Sequence, residues 1–319
     1  MKENIEEVKN STKKNEKLME NKKFKSGFVT IVGRTNVGKS SLINKLANEK
    51  ISAVADKTQT TRKNVKAIIN RKNSQIIFID TPGIHNPKSK LSKIMIEDAI
   101  TSLEDIDIIL YVIDATNNRI DNETLNKIIE SKKKTILIIN KIDLVSANDV
   151  ANIINEYKNL YDFKAIIPVS VTKNKNLDAV IDEIENNLDE GVKYYDEDEY
   201  TDQTLRQIAE EIIREKALKL LRDEVPHGIY VDVTKMKTRK TIKNEKIFDI
   251  DATIYCLKKS HKGIIIGKDG SMLKKIGTYS REDLEKMLSS KVNLSLWVKV
   301  DEDWINNDKI VKRFKNNNE

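Results

Sequence analysis

The chain has 319 residues, 39% of them hydrophobic, which is long enough for about two domains with sizeable cores and excludes a wholly disordered protein. Its formal net charge is +7, and its single cysteine, Cys256, excludes an internal disulfide and any multi-cysteine metal site, which suits a reducing compartment. No apolar stretch approaches the roughly 20 residues that span a bilayer, the N-terminus lacks an apolar leader segment, and the expectation is a soluble protein inside the cell.

Residues 1 to about 25 are rich in Lys, Glu and Asn with almost no apolar periodicity, so they read as a mobile tail that cannot offset its ordering entropy by burial. From 26 to 190, short apolar runs alternate with helical segments, the pattern of a mostly parallel α/β sheet covered on both faces. The first run, Phe28 to Val32, leads into Gly33-Arg34-Thr35-Asn36-Val37-Gly38-Lys39-Ser40, a complete phosphate-cradling loop after a strand. The two glycines let main-chain N–H groups of Arg34, Thr35, Asn36 and Val37 turn inward, and Lys39 reaches the β- and γ-phosphates as a point charge. The Ser40 hydroxyl is placed to ligate Mg²⁺, with Ser41 beside it at the start of the helix.

Some twenty residues on, Thr60 and Thr61 supply hydroxyls that can close over the metal and the γ-phosphate, and Thr61 is favoured as the ligand. Arg62 either approaches the phosphates or faces solvent or RNA. The run Ile76 to Ile79 then delivers Asp80-Thr81-Pro82-Gly83. Asp80 is expected to hold Mg²⁺ through water, and the Gly83 N–H to meet the γ-phosphate. Lys39, Thr61 and Gly83 form the expected catalytic set, acting by position and charge without a covalent intermediate. Ile84 stands where Ras-like enzymes carry a water-orienting glutamine, so slow intrinsic hydrolysis is expected unless a monovalent cation, a main-chain group or a partner contributes. Asn36 is read either as a ligand for a K⁺ ion beside the phosphates or as a side chain that stabilises the loop.

The base is read from Asn140-Lys141-Ile142-Asp143, which follows the run Ile136 to Ile139. The Asp143 carboxylate can accept from N1–H and the 2-amino group of guanine, whereas adenine offers neither donor, so GTP and GDP are favoured over ATP. Ser170-Val171-Thr172, after Ile166 to Val169, supplies either a further guanine contact or plain turn chemistry.

The acidic stretch through residues 191–203 reads as a linker. Beyond it the balance is 25 Lys and Arg against 18 Asp and Glu, leaving 32 of each in residues 1–203 with the linker included, so the second domain and its tail carry the whole net charge. Nucleic acid is the natural acidic partner. Residues 204–301 read as helix (Leu205 to Val225), strand (Ile229 to Val231), strand (Ile247 to Ile254), helix, loop, helix (through Leu288) and strand (Val292 to Val300). Residues 302–319 are expected to be a second tail. The loop Gly267-Lys268-Asp269-Gly270 is the Gly-X-X-Gly loop of a type II KH domain, which clamps the backbone of unpaired nucleotides. Lys268, Lys274 and Lys275 add charge for RNA rather than DNA.

A guanine-nucleotide domain followed by a KH domain resembles the Era GTPases, from Gly27 to about Val300. Gln59-Thr60-Thr61-Arg62, Asp80 to His85, Glu224-Val225-Pro226-His227 and the glycine loop carry the likeness. The resemblance implies a monomeric, cytoplasmic GTPase that binds near the 3′ end of small-subunit rRNA on pre-30S particles, with peripheral contact to the inner face of the cell membrane. Two other readings stay open: a GTPase acting on tRNA or on a protein partner, and an RNA-binding assembly factor that uses GTP only as a structural or sensory ligand.

Overall fold

The computed structural model describes residues 23–48, 51, 65–80, 106–117, 119–222, 225–242 and 244–307. Most of the two expected tails lies outside that set. In the first domain β1 (Lys25–Val32), α1 (Lys39–Ala47), β2 (Val65–Arg71), β3 (Ser74–Asp80) and β4 (Ile108–Asp114) come first. They are followed by α2 (Asn122–Ser131), β5 (Lys134–Asn140), α3 (Ala147–Lys158), β6 (Ala165–Pro168) and α4 (Leu177–Asn187). The sheet order is β2-β3-β1-β4-β5-β6, with only the β2 edge antiparallel.

Strands β3, β4 and β5 read as near-continuous Ile, Leu and Val runs because both their faces are covered. Val29, Ile31, Ile76, Phe78, Leu110 and Ile136 bury one face beneath α1 and α4, where Leu42, Ile43, Val180 and Ile184 meet them. On the other face Ile109, Tyr111, Ile113 and Leu137 pack under Leu125, Ile128, Ile153 and Tyr157 of α2 and α3. Since β1, β3, β4, β5 and β6 run parallel, their C-terminal ends open on one edge, where open α/β sheets bind ligands.

The second domain contains α5 (Leu205–Leu220), β7 (Ile229–Lys240), β8 (Lys246–Cys256), α6 (Lys259–Ile266), α7 (Ser271–Leu288) and β9 (Lys291–Val300). Its sheet has the order β7-β8-β9, antiparallel then parallel, with the helices on the apolar face. Two elements differ from the sequence reading. Helix α5 stops at Leu220, not Val225: Leu221 turns extended, and Val225–Gly228 forms a separate 3₁₀ turn around Pro226. Strand β7 continues nine residues past Val231, because an irregularity between Val233 and Lys235 interrupts the alternation that period-two patterning relies on. Beyond β9, Trp304 is fully buried; it stacks on Tyr230 at 5.6 Å and donates its indole N–H to the Gly228 carbonyl at 3.1 Å.

Candidate nucleotide site and nucleic-acid groove

Five strand ends build the first site. At the end of β1 the chain turns through Gly33 (φ +145°), and a Cβ built there would run into the Val112 carbonyl on β4. Gly38 (φ +100°) caps α1, and a Cβ there would strike the Asn140 side chain. The loop is thus pressed between β4 and β5, leaving the first N–H groups of α1 directed at the cradle.

Asn140, at the end of β5, is buried and ties two loops together. Its Nδ2 donates to the Val37 carbonyl at 2.8 Å, and its Oδ1 accepts from the Val171 N–H at 3.2 Å. Lys141, in a left-handed conformation (φ +65°), reaches back: its ammonium donates to Asp114 Oδ2 at 2.6 Å and to the Asn36 carbonyl at 3.0 Å. Burial opposes ionisation of Asp114, yet hydrogen bonds from Lys141 and Thr116 outweigh it and hold the carboxyl below its usual range.

Asp143 is exposed, with Ser170 Oγ donating to Oδ1 at 2.5 Å and Thr172 Oγ1 to Oδ2 at 3.4 Å. The Ser170 bond is the main cause that holds this carboxyl below the ordinary range. Ser170-Val171-Thr172 is therefore brought to the guanine motif, but through Asp143 and Asn140 rather than as a free-standing loop.

Lys39 Nζ donates to the carbonyls of Gly33 and Arg34 at 2.8 and 2.7 Å, and burial lowers its ammonium from 10.5 to about 8 against the pull of Asp80. Ser40 Oγ donates to Asp80 Oδ2 at 3.0 Å. Arg34, Thr35 and Asn36 lie on the exposed outer side of the loop, while Val37 is buried. Thr60, Thr61, Arg62, Thr81, Pro82, Gly83, Ile84 and His85 lie outside the described residues.

The sequence reading passed over Asp114. The run Ile108 to Ile113 before it was a legible strand signal; its ion pair with Lys141, 27 residues on, was not.

In the second domain, Gly267 (φ +73°), Asp269 (φ +52°) and Gly270 (φ +74°) give the loop between α6 and α7 its shape. A groove of about 500 Å³ starts at Gly270 and runs between α7 and β9. Its wall carries Lys274 and Arg281, and Leu273, Leu294 and Leu296 supply apolar surface. Lys268 and Asp269 are exposed at its mouth, whereas Lys275 is exposed but does not line it. Arg281 was missed, although it stands two helical turns from Lys274 and shares its face.

The family model described as 50S ribosome-binding GTPase matches residues 28–141, and the KH domain model matches residues 224–305. GTPase Era of Clostridium kluyveri is 47% identical over 294 residues, covering 91% of this chain and 99% of the relative. A crystal structure of Era in complex with MgGDPNP and nucleotides 1506-1542 of 16S ribosomal RNA is similar at a TM-score of 0.85 and 41% identity, over 91% of this chain and 98% of that one. A variant of Aquifex aeolicus Era bound to GDP and AlF4⁻ matches at a TM-score of 0.85 and 40% identity, over 91% and 99%. With a phosphate loop, a guanine motif and a glycine-loop RNA module in one order on one chain, and with relatives alike over 91% of its length, the chain belongs to the Era family of GTPases.

Proposed function

We propose that GTP binding and hydrolysis by this chain set the RNA-binding state of its second domain during small ribosomal subunit assembly, with the RNA held near the 3′ end of small-subunit rRNA. The observation that carries this reading is the joining of a guanine-nucleotide site and a basic glycine-loop groove on one chain, in a form alike to a relative holding both MgGDPNP and a 16S rRNA fragment. The domains run from about 25 to 190 and from 204 to about 305, joined by 191–203; the second extends past the expected boundary at 301 because Trp304 packs on Tyr230 and Gly228.

In this reading the main-chain N–H groups from Gly33 to Ser41 and the Lys39 ammonium bind the phosphates, and Asn140 locks that loop to Val171. Asp143 selects guanine, oriented by Ser170, while Lys141 is held beneath the base site by Asp114. The buried Asp80 carboxylate, 3.0 Å from the Ser40 hydroxyl, is a hard oxygen donor set that fits Mg²⁺, with Thr61 as a further ligand. Magnesium, when bound, offsets the negative charge that develops on the β- and γ-phosphate oxygens. Thr81, Pro82, Gly83 and Ile84 border the γ-phosphate. Ile84 cannot align water, and a K⁺ ion beside Asn36 fills that electrostatic gap.

The protein acts in the cytoplasm as a monomer on pre-30S particles, with peripheral contact to the membrane. Among the described residues no helix is long and apolar enough to cross a bilayer. Crosslinking to cellular RNA in GTP- and GDP-loaded states, with phosphate release followed in potassium and in sodium buffers, tests the proposal. The expected result is protection of a short unpaired segment of small-subunit rRNA that depends on the nucleotide, and faster turnover in potassium. Equal occupancy in both states defeats the switch, and equal turnover in both salts removes the K⁺ ion.

A pH effect follows from Lys39. Phosphate oxygens favour its charged form, so nucleotide binding raises a pKa that burial had lowered to about 8. Below that value the ammonium is already charged and affinity is flat; above it, binding takes up a proton and affinity falls by up to about tenfold per pH unit. Calorimetry of GDP binding in buffers of different ionisation enthalpy should show little proton uptake near pH 7 and close to one proton near pH 9. Equal uptake at both would contradict the assignment.

A further inference from the structure

The linker between the domains is bound to the nucleotide domain along most of its length. Gln75, fully buried on β3, accepts from the main-chain N–H groups of Tyr194 and Tyr195 at 2.7 and 3.0 Å and donates to the Tyr195 carbonyl at 2.8 Å. Asn70 Nδ2 on β2 donates to the carbonyls of Asp196, Glu197 and Glu199 at 3.1 to 3.3 Å. The last linker residues then pair with the β2 edge: the Ile68 N–H donates to the Tyr200 carbonyl at 3.0 Å, Ala67 bridges Thr201, and the Lys66 N–H donates to Asp202 Oδ1 at 3.2 Å.

One step further, Gln203 Nε2 donates to the Ile51 carbonyl at 2.9 Å, and the Ile51 N–H donates in turn to Asn44 Oδ1 at 2.9 Å. Asn44 lies on α1, one turn beyond Ser40. Ile51 and Lys66 flank residues 52–64, the segment whose sequence holds Thr60 and Thr61. The linker therefore touches both flanks of the stretch expected to sense the γ-phosphate and, through Ile51, is joined to the helix that begins at the phosphate loop.

Its other end is equally fixed. Thr204 caps α5 in a reciprocal box with Gln207, directly after Gln203. Helix α5 buries Ile208, Ala209, Ile212 and Ile213 in the second core, and its Lys216 pairs with Asp283 of α7 at 2.5 Å. Helix α7 starts at the glycine loop. A passive tether needs none of these bonds, since a solvated chain of that length would join the domains as well.

We infer that Asp202 and Gln203 are positioning residues through which the two flanks of the 52–64 segment set α5, and with it the RNA groove, according to the bound nucleotide. This rests on the reading that GTP and GDP states differ in RNA affinity. Ile51, Lys66 and Ile68 sense the nucleotide side, Gln203 and Thr204 carry the change across, and α5 and α7 deliver it to Gly270.

The test uses the full-length chain with Mg²⁺ and either GDPNP or GDP, and an RNA with the sequence of 16S nucleotides 1506-1542. RNA affinity is measured in each state for the wild type, Gln203→Glu, Gln203→Ala and Asp202→Ala, the last of which removes the acceptor of the Lys66 N–H. Coupling between two sites is typically about fivefold or more. The wild type should show such a ratio between its two states, and each variant should bring it to within about twofold of unity while nucleotide affinity without RNA stays within about threefold. Gln203→Glu keeps the side-chain length but cannot donate to Ile51. Amide exchange at Lys66 and Ile68 gives a readout independent of binding: in the wild type, RNA should alter their protection, and in the variants it should not. A wild-type ratio of one overturns the switching reading itself. A wild-type ratio that persists in all three variants overturns the linker route alone.

Discussion

Asp143→Asn is expected to exchange the preferred base, lowering affinity for GTP by about 10² to 10⁴-fold while raising that for XTP. Guanine presents two donors, N1–H and the 2-amino group, and the carboxylate answers both with acceptors. An asparagine keeps one acceptor and turns the other into a donor, which meets the 2-amino group as donor against donor. Xanthine carries an oxygen at that position, so the same amide pairs with it. The surroundings tolerate the change. Ser170 Oγ and Thr172 Oγ1, at 2.5 and 3.4 Å from the two carboxylate oxygens, are hydroxyls that can accept as readily as donate, and the side chain is exposed, so no buried charge partner is stranded. The depressed Asp143 pKa, due first to the Ser170 bond, keeps the wild-type group ionised throughout the neutral range, and no protonated form mimics the amide. Competition of GTP, XTP and ATP against a fluorescent nucleotide reads the result. An unchanged GTP to XTP ratio, or equal loss of both, would remove Asp143 from base selection.

How much of this could be read beforehand depends on the range of the forces involved. The phosphate loop and Asn140 to Asp143 were legible because each needs special backbone or donor geometry directly after an apolar strand, and both requirements are local in sequence. The glycine loop was legible for the same reason: Gly267 and Gly270 stand in the left-handed region between two helices. Bonds closing over long separations were not. Asn140 ties Val37 to Val171 across 103 and 31 residues, Asp114 anchors Lys141, and Gln203 reaches Ile51 across 152. The acidic stretch through 191–203 read as a solvated connection because its composition is polar; what binds it is mostly main-chain carbonyls and N–H groups, which composition does not encode. Trp304 was lost to the polar run around it, since one aromatic ring in an acidic segment gives no periodicity, yet its stack on Tyr230 and its bond to Gly228 close the end of the second domain.

Gly270→Asp is expected to lower affinity for the single-stranded 16S fragment by about 10²-fold, with GTP hydrolysis in the absence of RNA unchanged. The two glycines of the loop are not equivalent. A Cβ on Gly267 would lie 2.7 Å from Met272 Cβ and 2.8 Å from the Met272 nitrogen, so Gly267→Asp forces the start of α7 to shift and confounds binding with folding. A Cβ on Gly270 meets nothing within 4 Å; its only structural cost is the left-handed φ of +74°, about 1 kcal/mol for a non-glycine residue. The new carboxylate instead stands at the head of the groove, beside Lys274, where RNA phosphates are expected to approach. Like charges brought together there oppose binding, and partial neutralisation of Lys268 and Lys274 reduces the number of counterions released, so the salt dependence should flatten as affinity falls. Gly270→Asn separates the two causes. Asparagine tolerates the left-handed backbone, fills nearly the same volume and carries no charge, so its loss should stay within about tenfold with the wild-type salt slope. Fluorescence anisotropy at two salt concentrations distinguishes the outcomes. If Gly270→Asp binds as tightly as the wild type, the groove between α7 and β9 is not where the RNA lies; if Gly270→Asn is as damaged as Gly270→Asp, backbone geometry rather than charge governs the clamp.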